Sequence, residues 1–337
     1  MVAKPAVSIL LPVRNEQRFL PAALASLFRQ TLTSWELVAV DDGSTDRTPA
    51  ILAEAARTDA RVRVLRCGER GLVAALNFGL EACRSALVAR MDGDDISHPR
   101  RLEFQEAYLA RKPACGLVAC SFRHIPRSGL GTGMLAYEQW QNSLGSHGEI
   151  LRDLFVESPF VHPSVMFRRD AVLSLGGYRD NGWAEDYDLW LRLAAAGIRF
   201  ARLPQQLFFW RERPERATRT LPAYSAAAFR KCKVHHLKRS FLAGVPEVML
   251  AGAGREGRAW YRTLQEEQVR VVRWVDVDPR KIGRILHGAP VSGTDEVRAK
   301  QGLRMLVTVG TRGARAQVRN WAVSAGFSEG EDFLCVT

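Results

Sequence analysis

The sequence has no hydrophobic run long enough to cross a bilayer. Its longest largely apolar stretches, Val7 to Val13 and Leu303 to Val309, fall well short of the ~20 residues a spanning helix needs. A secretion signal is not expected either. Ala6 to Val13 contains Pro12 and stops at Arg14-Asn15-Glu16, which reads as a buried strand entering a polar loop, without a small-residue cleavage site. The six cysteines (Cys67, Cys83, Cys115, Cys120, Cys232 and Cys335) form no CxxC or Cys/His spacing, which argues against a zinc or redox centre and for reduced core thiols. These absences together lead to the expectation of a cytoplasmic protein. Low-complexity tracts are missing as well.

Acidic residues are in deficit: 48 Lys and Arg face 36 Asp and Glu, a formal charge of +12. The excess is uneven, with nine Lys/Arg against Glu212 and Glu215 between Arg211 and Arg239, a net of +7. Such a concentration points to phosphates or to peripheral contact with an anionic membrane at its inner face, and equally to a solvated basic helix. No aromatic-interleaved basic surface or nucleic-acid motif accompanies it, so nucleic acid is not expected as a partner.

What is present is a long chain with an alternating pattern. At 337 residues it exceeds one ordinary core, so two domains are expected. Strands are read at Val7 to Leu11, Leu37 to Val40, Val62 to Leu65 and Ala86 to Arg90, with helices at Glu16 to Arg29, Asp46 to Arg57 and Leu72 to Cys83 between them. This β-α repetition predicts a mostly parallel α/β sheet covered by helices, with ligands beyond the strands' carboxyl ends. Gly129 to Gly148, rich in Gly, Ser and Asn, reads as a loop or lid with a short helix near Tyr137 to Trp140. Phe160 to Phe167 reads as extended, Asp186 to Ala196 as a helix, and Pro222 to Leu242 as a basic helix with Val234, Leu237 and Phe241 on one face. From Val248 the β-α pattern restarts, giving a second, small Rossmann-like α/β unit. The expected division is a first α/β domain over 1–215, a basic helical linker over 216–245 and the second unit over 246–337.

Two acidic clusters end two of the strands: Asp41-Asp42 and Asp92-Gly93-Asp94-Asp95. On a parallel sheet they project from the same edge, where like charges need a compensating cation. Hard oxygen ligands suit Mg²⁺ or Mn²⁺, completed by diphosphate oxygens. Either cluster alone also fits an ordinary Asp/Gly turn.

The clusters sit in an ordered set of segments: Val7-Ser8-Ile9-Leu10-Leu11-Pro12-Val13-Arg14-Asn15-Glu16, Asp41-Asp42-Gly43-Ser44-Thr45-Asp46, Ala75-Leu76-Asn77-Phe78-Gly79-Leu80, Arg90-Met91-Asp92-Gly93-Asp94-Asp95 and Glu185-Asp186-Tyr187-Asp188-Leu189-Trp190-Leu191-Arg192-Leu193. Together they resemble the family 2 glycosyltransferases with the GT-A fold, over roughly residues 5 to 215. The resemblance implies a metal-dependent, inverting transfer of a sugar from a nucleoside-diphosphate-sugar donor to a hydroxyl of a saccharide or lipid-linked acceptor, in cell-surface polysaccharide or glycan biosynthesis. It implies that Pro12 and Glu16 line the nucleotide pocket, that Asp41 reads the base, and that Asp92 approaches the ribose or a metal-bound water. Asp94 would hold the Mg²⁺ or Mn²⁺, with Asp95 close by. Gly93 stands where the family more often has Ala or Ser. Glu185 and Asp186 match an acidic pair that supplies the general base, here assigned to Asp186. Asp188 fits a helix N-terminus better. His162-Pro163-Ser164 matches a segment on the acceptor side, and Trp210-Arg211-Glu212-Arg213 falls where relatives place bases on a loop over the diphosphate, with Arg211 as the expected contact.

The second unit carries Gly252-Ala253-Gly254-Arg255-Glu256-Gly257 between strand and helix, and Asp276 closes the next strand. This is the spacing of a dinucleotide fingerprint, with Gly252, Gly254 and Gly257 beside a pyrophosphate and Asp276 on a ribose. The unit also resembles small Rossmann-like domains attached to sugar-modifying enzymes, so a nucleotide site and a docking role both stand. A non-catalytic alternative has this unit sensing a nucleotide or nucleotide-sugar while the first part is a scaffold. The retained carboxylates Asp92, Asp94 and Asp186 weigh against it. A sugar nucleotidyltransferase would open with a Gly-rich loop, which Pro12 to Glu16 lacks.

Overall fold

A computed structural model describes residues 4–299, 303–310 and 313–337. The chain forms two compact units. The first takes residues up to Ile150, Pro159–Asn181 and Glu185–Thr220, and the second takes Leu151–Ser158, Gly182–Ala184 and the chain from Leu221 on.

The first unit is built on eight strands: β1 (Val7–Val13), β2 (Trp35–Asp41), β3 (Val62–Arg66), β4 (Leu87–Arg90), β5 (Ile96–Ser97), β6 (Cys115–Ile125), β7 (Val165–Arg168) and β8 (Arg199–Arg211), in the order β3-β2-β1-β4-β7-β6-β8-β5. β3, β2, β1 and β4 run parallel, β6 and β8 run parallel, and β7 enters antiparallel to both β4 and β6. The aliphatic runs of β1 and β2 are buried along their whole length, as expected where helices cover both faces of a parallel sheet. Register aligns Val13 with Asp41 and Leu10 with Arg90, so the chain leaves β1, β2 and β4 at one edge of the sheet.

Proline starts two of the covering helices, Leu20–Phe28 and Thr48–Thr58, where its missing N–H costs nothing. The helix Leu72–Ala82 lies close on β1 and β2, since a Cβ at Gly79 would come within 2.3 Å of Leu10 and 2.7 Å of Val40.

Several elements differ from the sequence reading. Gly129 to Gly148 is mostly helical: one helix spans Thr132–Ser143 and a second starts at His147. Ser146 and Glu149 form a reciprocal cap, with the Glu149 N–H donating to Ser146 Oγ (3.3 Å) and the Ser146 N–H to Glu149 Oε2 (2.9 Å), a capping box readable in Ser-His-Gly-Glu. Phe160 to Phe167 is only partly extended, because His162–Ser164 forms a 3-10 turn before β7.

The second unit has its own sheet of β9 (Glu247–Ala251), β10 (Arg270–Val275), β11 (Ile285–Leu286), β12 (Ala289–Ser292), β13 (Arg304–Val307) and β14 (Phe333–Cys335), ordered β11-β12-β10-β9-β13-β14. Val234, Leu237, Trp260 and Trp274 fill its core. The basic segment splits into a 3-10 turn, Pro222–Tyr224, and a helix, Ala226–Leu237, capped by Ser225. Much of its charge is neutralised internally: Arg230, Lys231 and Lys238 pair with Glu256, Glu266 and Glu267, and the buried Lys233 ammonium donates to the carbonyls of Val156 and Val336. Less of the +7 is left for an anionic surface than the count implies.

Candidate active site

The loops leaving β1 and β2 hold each other in place. Asn15 adopts a left-handed conformation at φ 55°, and its side-chain oxygen accepts from the Thr45 N–H at 2.8 Å. The Asn15 N–H donates to Ser44 Oγ and the Glu16 N–H to Thr48 Oγ1, at 3.0 and 2.8 Å. Asp41 is buried at the end of β2 and accepts the Ser44 N–H at 3.0 Å. Asp42 instead serves the next loop, accepting from the Arg70 and Gly71 N–H groups. Pro12 is buried in β1 opposite Val40, beyond the last β1–β4 register pair, Leu10 with Arg90, so its missing N–H leaves that ladder intact.

After β4 the chain turns and gathers its carboxylates. Asp92, Asp94 and Asp95 each offer an oxygen within 4.8 Å of the others. Asp95 is 1% exposed; one of its oxygens accepts the Arg211 N–H at 2.6 Å, and the other is buried without a hydrogen-bond donor. Glu16 faces the same cluster and also has one buried oxygen without a donor. Burial, reinforced by the neighbouring carboxylates, raises the Asp94 carboxyl above its ordinary range and the Asp95 carboxyl well above it. Burial likewise pushes Glu16 up to about 7, with Asp94 adding to the shift and Arg213 opposing it. Packed carboxylates, two orphaned buried oxygens and raised proton affinities are the environment a hard divalent cation relieves, so these residues fit Mg²⁺ or Mn²⁺.

Arginine partly supplies that positive charge. Arg213, which the sequence reading did not single out, donates Nε to Asp94 Oδ2 at 2.8 Å and its terminal nitrogen to Glu16. Arg211, the expected phosphate contact, is engaged differently: its Nε donates to the Asp94 carbonyl at 2.6 Å and its guanidinium lies 4.7 Å over the Phe19 ring. Gly93 is tightly placed too. A Cβ there would lie 2.9 Å from Val13 and 3.2 Å from Glu16, so the glycine makes room for Glu16.

A second group of residues surrounds Arg90. This arginine is 2% exposed at the end of β4 and pairs with Asp92 Oδ1 at 2.7 Å. The charge of Glu185 and the Tyr178 hydroxyl also act on it. Glu185 and Asp186 open the helix Glu185–Ala195. Burial and the neighbouring Glu185 charge raise the partly exposed Asp186 carboxyl well above the ordinary aspartate range. His162 lies between Tyr178 and Glu185, with Nε2 2.9 Å from the Tyr178 hydroxyl and Nδ1 3.6 Å from Glu185 Oε1. Burial and the Arg90 charge lower its pKa, so the ring is neutral near pH 7.

Asn77, part of the third motif segment, fixes Tyr178. Its side chain accepts the Tyr178 N–H at 2.8 Å and donates to the Tyr178 carbonyl at 2.9 Å. The first unit thus gathers Glu16, Asp94, Asp95, Arg211 and Arg213 into one group and His162, Tyr178, Glu185 and Asp186 into another. Arg90 faces the second group while holding Asp92 of the acidic motif. Gly252, Gly254, Gly257 and Asp276 belong to the second unit.

A mixed, mostly parallel sheet with an acidic turn after its fourth strand and an acid-bearing helix beyond it is the arrangement expected from the resemblance to GT-A glycosyltransferases. Comparison with known proteins agrees: the family model "Glycosyl transferase family 2" matches residues 8–176. The chain is 32% identical over 237 residues to the putative glycosyltransferase EpsE of Bacillus subtilis (strain 168), covering 67% of this chain and 80% of that one. It is 34% identical over 203 residues to the amylovoran biosynthesis glycosyltransferase AmsE of Erwinia amylovora, covering 59% and 74%. Among solved structures it resembles the mannosyltransferase PcManGT from Pyrobaculum calidifontis in complex with GDP-Man and Mn²⁺, at a TM-score of 0.51 and 22% identity over 79% of this chain and 70% of that one. The chain belongs to glycosyltransferase family 2, and its first unit has the GT-A fold.

Proposed function

We propose that the protein is an inverting, divalent-cation-dependent glycosyltransferase. It moves a sugar from a nucleoside-diphosphate-sugar to a hydroxyl of a saccharide or lipid-linked acceptor, in the synthesis of a cell-surface polysaccharide. The observation that carries this reading is a pair of buried, donor-less oxygens, one on Asp95 of the Asp92-Asp94-Asp95 group and one on Glu16, which faces that group. The names of the relatives, and the GDP-Man and Mn²⁺ bound by the structural neighbour, agree with it.

In this reading Asp94 and Asp95, with Asp92 nearby, hold Mg²⁺ or Mn²⁺, which when bound supplies the charge that lets a diphosphate leave. Pro12, Glu16 and Asp41 form the wall for the nucleoside. Arg213 and Arg211 bring positive charge to the diphosphate, Arg213 exchanging its carboxylate partners for phosphate oxygens. Asp186 takes the proton of the acceptor hydroxyl, a task suited to a carboxylate whose proton affinity burial and Glu185 have raised. Tyr178 holds the neutral His162 beside Glu185, and Arg90 keeps Asp92 oriented.

The test is a panel of UDP-, GDP- and dTDP-sugars with Mn²⁺ or Mg²⁺. At least one should bind or be slowly hydrolysed, and failure of all of them sinks the proposal. Asp94→Ala should abolish cation-dependent donor binding; unchanged donor affinity would remove the cation assignment. Asp186→Asn should keep donor binding and lose ~10²–10⁴-fold of transfer.

A further inference from the structure

The second unit contains a cavity of about 740 Å³ at the carboxyl ends of its parallel strands. β9 lies between β10 on one side and β13 on the other, so the cavity sits where the chain's crossovers diverge, the position at which open α/β sheets receive ligands. Its volume falls in the range of small-molecule sites, ~300–1,000 Å³.

The three glycines of the loop after β9 have different reasons for being there. Gly252 has φ +105°, which disfavours a side chain, and a Cβ would also come within 2.9 Å of Val309. Gly257 has no room: a Cβ there would lie 1.9 Å from the Gly252 carbonyl oxygen. Gly254 has neither constraint. Its φ is −89°, open to any residue, and a Cβ would meet nothing within 4 Å. Yet Gly254 is the N-cap of the 12-residue helix Arg255–Glu266, and no side chain caps that helix. Ser, Asp or Asn would fit there and would stabilise the helix. The fold alone does not call for a glycine, whereas a ligand that approaches the backbone at a helix N-terminus does.

The remaining walls define what that ligand is. Asp276 closes β10 and is fixed in the cavity by bonds from the Ala253 N–H (2.8 Å), the Asp278 N–H (2.9 Å) and Lys281 Nζ (2.9 Å). Val277, the next residue, is 79% exposed; Arg255 and Glu256 line the helix end, Glu256 being paired with Arg230, and Val275, Val309, Val318 and Trp321 form an apolar wall. An anion-accepting helix end, a carboxylate with an attendant ammonium, and an apolar wall match, in turn, phosphate, ribose hydroxyls and a base.

We propose that this cavity binds a nucleoside diphosphate, free or as part of a dinucleotide, independently of the donor site and without a divalent cation. The test is calorimetric titration of the full chain in EDTA with UDP, GDP, ADP and NAD⁺, alongside the Asp94→Ala, Asp276→Asn and Gly254→Asp variants. At least one nucleotide should bind with unit stoichiometry, unaffected by Asp94→Ala and weakened at least ~10-fold by Gly254→Asp, whose carboxylate caps the helix and repels phosphate. Gly254→Asp should melt at or above the wild-type temperature, separating lost binding from lost folding. Asp276→Asn should weaken binding to a similar degree. Preference for NAD⁺ over ADP would support the site and make the dinucleotide its source, and preference for a mononucleotide would support the free form. Absence of binding in EDTA by all four up to ~1 mM, or binding that survives Gly254→Asp and is lost in Asp94→Ala, would overturn the proposal.

Discussion

Replacing Glu16 by glutamine should make the first unit more stable, and only at high pH. The Glu16 carboxyl is pushed from 4.5 to about 7, chiefly by burial, with Asp94 and Asp92 adding and Arg213 subtracting. Because the folded-state value is raised, the folded chain holds this proton more tightly than the unfolded one does. Stability from this group is therefore full below the unfolded value of ~4.5 and is lost as pH rises through ~7. At ~1.4 kcal/mol for each tenfold change in proton affinity, ionised Glu16 costs the metal-free protein about 3 kcal/mol at pH 8 and less than about 1 kcal/mol at pH 5. Glutamine keeps the shape and an oxygen for Arg213 but carries no charge, so Glu16→Gln should recover most of that cost at pH 8. For a unit of this size about 3 kcal/mol corresponds to a rise of ~6–12 °C in the melting temperature. Differential scanning calorimetry in EDTA at pH 5 and pH 8 is the suitable assay, since a chain of two units need not unfold in one step. A gain of equal size at both pH values, or none at pH 8, would refute the reasoning. In the wild type, added Mn²⁺ at pH 8 should narrow the gap between the two proteins.

Other outcomes follow from the same geometry. Arg213→Gln leaves Asp94 and Glu16 without their shared cation and should cost about 2 kcal/mol at pH 8 in EDTA, less at pH 5. Mn²⁺ should recover most of that loss, and a loss that Mn²⁺ does not touch would count against the carboxylates as a cation site. Tyr178→Phe removes the hydroxyl beside His162 Nε2 and should cost ~1–2 kcal/mol of stability. It should also lower kcat while leaving donor Kd unchanged, so a change confined to donor affinity would contradict its proposed grouping with His162, Glu185 and Asp186. The transfer rate should rise with pH through an apparent pKa above the ordinary aspartate range, because Asp186, the proposed base, would take a proton only when ionised. A pH profile with the same acid limb in Asp186→Asn would show that another group is the base.

The parallel core was legible because its strands are continuous aliphatic runs punctuated by Asp-Gly turns and helix-starting prolines. The carboxylates could be found for a related reason: each follows a strand that the hydrophobic pattern already marks. What stayed hidden depends on distant partners. Arg213 meets Asp94 across 119 positions and Asn77 meets Tyr178 across 101, and no local pattern encodes either pairing. Long strands β6 and β8 were missed as a pair for the same reason, since their registry joins Cys115 to Arg199. The helix Thr132–Ser143 begins at Gly131 with no side-chain cap, so its start carries no sequence mark, whereas the Ser146/Glu149 cap was there to be read. Arg90 lay inside a motif but resembled an ordinary strand-end charge until its burial against Asp92 was seen.

The separation of the two residue groups has a consequence for how such an enzyme diversifies. Glu16, Asp41 and the Asp92-to-Asp95 turn hang from β1, β2 and β4, while His162, Tyr178, Glu185 and Asp186 arrive on later segments that enter the sheet through the antiparallel β7. Arg90 links the two, holding Asp92 and facing Glu185. Under the proposed roles, only the stretch that carries His162, Tyr178, Glu185 and Asp186 is free to drift toward new acceptors, because Arg211 and Arg213 beyond it return to Asp95, Asp94 and Glu16. A chimera that exchanges only the stretch from His162 to Asp186, leaving the acidic turn, Arg211 and Arg213 in place, should keep its donor choice and take its acceptor choice from the insert.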